Sequence, residues 1–103
     1  MGAQQFENKV SAKSAREGFD LLVEEAQYES GHGGYTGTIA EKSDFKMVTP
    51  KTGESPEECV ERCLEDDDHF CQDKWGSAAC VDGGEDPKVP GNYIFYFFGW
   101  ASS

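Results

Sequence analysis

The run Asn92-Tyr93-Ile94-Phe95-Tyr96-Phe97-Phe98-Gly99-Trp100-Ala101 constrains the fold more than any other part of this chain. It is apolar at odd and even positions alike, so as a β-strand it has two faces to bury. Such a strand lies in the middle of a sheet with cover on both sides, or leaves one face to be closed by another molecule. The chain has 103 residues, which suits one domain with a modest core. Aromatic residues make up 13% of it, more than an acidic disordered chain would carry, so it should fold.

Two helices have clear signals. Ser14-Ala15-Arg16-Glu17 is a capping-box pattern, and Ala15, Phe19, Leu22, Val23 and Ala26 then recur at helical spacing. This predicts a helix from Ala15 to Ser30, stopped by Gly31. Gly18 inside it costs about 1 kcal/mol relative to Ala, which suggests that something approaches closely there. The second helix starts at the N-cap Ser55, with Pro56 in its first position and Glu58 completing a capping box. Cys59, Val60, Cys63 and Leu64 form its inward stripe.

Strands are expected at Tyr35–Ala40 and Phe45–Thr49, paired as a hairpin that Pro50 ends, and at Ala78–Val81. Asp82 to Gly91 reads as a turn-rich loop. Residues 1–13 are polar and read as a mobile N-terminal segment with Phe6 and Val10 as anchors. The expected order is αββαββ, in a single domain over residues 1–103. The expected fold is two-layer α+β: a mostly antiparallel four-stranded sheet with two helices on one face. The uncovered face of the last strand then calls for a homodimer contact through that strand, a target, or the N-terminal segment.

Charge is the second constraint. The formal net charge is -11, and from Glu54 to Asp68 eight acidic residues face a single basic one, Arg62. That balance excludes a general nucleic-acid binder and argues against an anionic membrane surface. It points to a basic protein surface, with Glu57, Glu58, Glu61, Glu65, Asp66, Asp67 and Asp68 as the contact residues. Carboxylates one helical turn apart are separated by about 6 Å along the axis, comparable to phosphates along a nucleic-acid strand. Asp66 to Asp68 also sit at the negative end of the helix dipole, where stability alone would not place them. The alternative is a solvated face that keeps a small protein soluble.

No motif specifies a reaction, and no catalytic residue or cofactor is expected. Gly31-His32-Gly33-Gly34 follows a helix and precedes a strand, the reverse of a nucleotide loop, and no Gly-Lys-Ser/Thr follows it. His32 with Tyr35 is the weakest of the functional groupings, because no second catalytic group can be placed beside it. The carboxylates of Asp82, Glu85 and Asp86 lack the calcium-loop pattern. Cys59, Cys63, Cys71 and Cys80, with His69 nearby, are numerous enough for a zinc site, but the spacing matches no common knuckle. Buried free thiols are the favoured reading, so no metal site is assigned. With no apolar run of signal-peptide or membrane-spanning length, the expected location is cytoplasmic, where the cysteines stay reduced.

The capped helix, Tyr35-Thr36-Gly37-Thr38-Ile39, the acidic helix from Pro56 to Asp67 and the terminal Phe97-Phe98-Gly99-Trp100-Ala101 together resemble small acidic uncharacterised proteins of bacteriophages and mobile elements. That resemblance is one of style over the whole chain. It implies an inhibitor of host defence or transcription machinery, in some cases by nucleic-acid mimicry. The reading taken from the sequence is a non-enzymatic acidic binding or inhibitor protein that engages a basic, nucleic-acid-binding type of surface. A small cysteine-based metal-binding regulatory module is the alternative.

Overall fold

The computed structural model describes residues 2–30 and 36–103. In chain order these form strand β1 (Ala3–Ala12), helix α1 (Ala15–Ser30), strand β2 (Phe45–Met47), helix α2 (Pro56–Glu65), strand β3 (Ala78–Glu85) and strand β4 (Tyr93–Ser102). Short 3-10 turns occur at Ile39–Glu41 and Phe70–Gln72. The protein is α+β, with a mixed four-stranded sheet in the order β1-β4-β3-β2. β4 is internal, antiparallel to β1 along its whole length and to β3 on its other side. β2 pairs with β3 in parallel, Phe45 lying opposite Ala78.

The doubly apolar β4 dictates the layers. Phe95, Phe97 and Ala101 join Phe6, Ala12, Phe19, Leu22, Ile39, Ala78 and Cys80 in one buried cluster, beneath α1. Tyr96 and Phe98, on the opposite face, join Cys59, Val60, Cys63, Cys71, Ala79 and Val81 beneath α2. The two helices therefore lie on opposite faces, where a two-layer arrangement with both on one face was expected. Two amphipathic helices and a strand with two apolar faces satisfy each other only this way. The central residues of β4 are enclosed, so neither of its edges is free for the homodimer contact expected of it.

Two further expectations are corrected. Most of the N-terminal segment, where no regular element was expected, is the strand β1, whose sparse apolar positions Phe6, Val10 and Ala12 all face α1. The hairpin does not form either. Tyr35 lies outside the described residues, as do Gly31 to Gly34 with His32, while Thr36 to Thr38 is irregular and leads into the 3-10 turn at Ile39–Glu41. There the Thr36 amide and hydroxyl both donate to the Glu41 carboxylate (3.1 and 2.7 Å), and Thr38 Oγ1 accepts from the Ala40 amide (3.2 Å). These local side-chain bonds outcompete a strand ladder.

β3 runs further than expected, through Gly83 and Gly84 to Glu85, with an irregularity in its pairing to β4 after Asp82. Gly83 is required here: a Cβ would lie 2.6 Å from the Tyr96 ring. Lys42 is buried, and its ammonium donates to the carbonyls of Asp73, Lys74 and Gly76 (3.2, 3.3 and 2.9 Å), tying that loop to the 3-10 turn. Burial lowers its pKa.

Candidate functional site on the acidic face of helix α2

Helix α2 begins as its sequence directs. Ser55 Oγ accepts from the Glu58 amide (3.2 Å) and Glu58 Oε1 accepts from the Ser55 amide (3.0 Å), with Pro56 in the first turn. Cys59, Val60 and Cys63 point into the core, which turns Glu57, Glu61 and Glu65 outward at four-residue intervals. These three line one hollow of about 350 Å³ between α2 and β1, together with Leu64, Gln5 and Glu7. Four carboxylates from two distant segments thus surround a single depression.

Of the cations near this groove, Arg62 is engaged elsewhere, while the charge of Lys9 reaches Glu57 and, after the larger effect of the Tyr96 hydrogen bond, helps to lower its carboxyl pKa. Arg62, the lone basic residue of the acidic run, donates from Nε and Nη2 to Glu54 (2.7 and 3.0 Å). This two-point bond holds the Glu54 carboxyl down at about 2 and raises the pKa of Arg62. Lys9 sits over the Tyr96 ring, 5.6 Å from its centroid. The Tyr96 hydroxyl donates to Glu57, which pushes the phenol up to about 12 and lowers the Glu57 carboxyl. Glu57 is therefore ionised and fixed in place by a residue of the central strand.

The remaining expected contact residues do not converge on the groove. Glu58 is committed to the capping box. Helix α2 ends at Glu65, and Asp66 is already extended, so Asp66, Asp67 and Asp68 belong to the following turn instead of the helix. Asp66 has a local structural task, because its Oδ1 accepts from the Asp68 amide (3.0 Å). The helix's last carbonyls are satisfied by Gln72, whose Nε2 donates to Cys63 and Leu64 (3.2 and 2.9 Å). Glu7 is the member that sequence reasoning missed. Its signal was the placing of Gln5, Glu7 and Lys9 at alternate positions, on the opposite face of a strand from Phe6 and Val10.

The thiols are split between the two faces of the sheet. Cys59, Cys63 and Cys71 lie under α2, while Cys80 faces α1. Burial pushes Cys59 and Cys71 up to about 11 and Cys80 to about 12. His69 Nδ1 accepts from the Cys71 amide (3.1 Å), capping the second 3-10 turn, and burial lowers its pKa. Among the described residues no three His, Cys, Asp or Glu side chains are placed to hold a metal ion. Asp82 accepts from the Gly84 amide (2.8 Å) within its own turn, whereas Asp86 accepts from the Ser11 hydroxyl (2.6 Å) and ties the β3–β4 connection to β1. Among the described residues, no helix is long and apolar enough to cross a membrane. No protein-family model, curated protein or solved structure matches this chain.

Proposed function

We propose that this chain is a non-enzymatic binding protein that engages a basic protein surface, of the kind that handles nucleic acid, through the groove between α2 and β1. The observation that carries this reading is the convergence of Glu7, Glu57, Glu61 and Glu65 on one hollow while Arg62 is held by Glu54. A concave anionic surface steers a cationic partner and is weakened by salt. The spacing of Glu57, Glu61 and Glu65 suits side chains that otherwise grip successive phosphates.

The test is affinity capture from a host lysate with wild type and a Glu61→Lys, Glu65→Lys variant, at low and moderate salt. Glu57 is left intact because it holds Tyr96. A basic, nucleic-acid-handling protein retained by wild type alone, and released as salt rises, is the expected outcome. Equal retention of the same partner by both proteins would remove the groove from recognition.

A further inference from the structure

We propose that a second copy of this chain docks along the outer edge of β1. The two strands would run antiparallel with Asn8 at the two-fold axis, joining the sheets into one of eight strands. Among the described residues no strand pairs with that edge, although β1 is ten residues long and contains neither Pro nor Gly. An unprotected edge of this length is a template for strand addition.

The direction of its free hydrogen-bonding groups follows from the register. Gly2 and Ser103 exchange both amide–carbonyl bonds (3.0 and 3.1 Å) in continuation of the β1–β4 ladder. Bonding alternates along an antiparallel pair, so the even-numbered residues of β1 bond to β4. Ala3, Gln5, Glu7, Lys9 and Ser11 then turn their amides and carbonyls outward. With Asn8 on the axis, Glu7 faces the partner's Lys9 and Lys9 faces the partner's Glu7, while Phe6 meets the partner's Val10 on the α1 side. Moving the axis by one residue places Glu7 against Glu7 or Lys9 against Lys9. Charge therefore selects one register of the three.

Pairing Glu7 with the partner's Lys9 takes one carboxylate of the proposed groove and leaves Glu57, Glu61 and Glu65 to a basic target, so dimerisation and capture are separate readouts.

Sedimentation velocity of the intact chain, up to about 1 mM and in moderate salt, tests this. Wild type is expected to dimerise, and Lys9→Glu to weaken dimerisation about tenfold by turning two attractive pairs repulsive. The Glu7→Lys, Lys9→Glu exchange is expected to restore it, with circular dichroism confirming that each variant is folded. Asn8→Cys should form an intermolecular disulfide on oxidation, since the axis pair is of the close, non-hydrogen-bonded type. A monomeric wild type across the range, undiminished dimerisation of Lys9→Glu, or an exchange variant as weak as Lys9→Glu would each overturn the proposal.

Discussion

Replacing Gly18 by Ala sets two known effects against each other. An interior helical Gly costs about 1 kcal/mol relative to Ala, so helix propensity alone makes the substitution stabilising by that amount. The structure opposes it. A Cβ at Gly18 would lie 2.9 Å from Val10 Cγ1 and 3.5 Å from both Ala12 Cβ and Phe97 Cε2. Val10 is β-branched and strongly restricted at χ1, so it cannot swing clear as a long flexible side chain would. Overpacking of this kind costs about 1–3 kcal/mol, which outweighs the propensity gain and leaves a net loss of about 1 kcal/mol. In a domain of this size that lowers the thermal midpoint by about 4–8 °C. Urea and thermal unfolding at a fixed protein concentration would measure it. A Val10→Ala partner removes the clashing carbon, so the double variant should be more stable than the sum of the two single losses by about 1 kcal/mol or more. If Gly18→Ala gained the full propensity benefit and added independently to Val10→Ala, the close approach of α1 to β1 would be refuted.

Two other measurements probe the charges and the thiols. The Glu54 carboxyl is held at about 2 against an ordinary 4.5, chiefly by its hydrogen bond from Arg62, so its contribution is fully present above about 4.5 and lost as pH falls towards 2. Denaturation of wild type and Glu54→Gln from neutral pH downward should converge across that window; parallel pH dependence would show that the pair contributes nothing to acid stability. Cys59, Cys63, Cys71 and Cys80 are buried and their pKa values are raised, so a thiol reagent at neutral pH should label none in the native protein and all four in denaturant. Rapid labelling of any one in the native state would place it at the surface.

What could be read from the sequence was local. Helix α1 is bounded by its capping residues and apolar stripe at Ala15 and Ser30, and α2 starts where Ser55, Pro56 and Glu58 place it. What could not be read was long-range pairing. β1 has only Phe6, Val10 and Ala12 on its inner face, and the partner that makes it a strand is β4, at the other end of the chain. The hairpin expectation assumed that sequence neighbours pair, whereas β2 pairs in parallel with β3 across the α2 crossover. The site divided along the same line: Glu57, Glu61 and Glu65 share a helix face by periodicity, but Glu7 joins them only through the pairing of β1 with β4.

That pairing also explains why there is a groove at all. Four strands span about 14 Å across the sheet, while a helix with its side chains is about 10–12 Å wide, so one helix cannot cover the whole face. α2 covers Ala79 and Val81 of β3 and Tyr96 and Phe98 of β4, leaving β1 open beside it, and the uncovered residues there are the polar Gln5, Glu7 and Lys9. Solubility would be served equally well by the same carboxylates dispersed over convex surface. Gathered around one hollow they repel each other more strongly, with Arg62 taken by Glu54 and the repulsion only partly offset by Lys9, whose charge reaches Glu57. A cationic partner would relieve that repulsion. If neutralising Glu61 and Glu65 stabilised the free protein while abolishing capture of the basic partner, the electrostatic cost would be tied to binding.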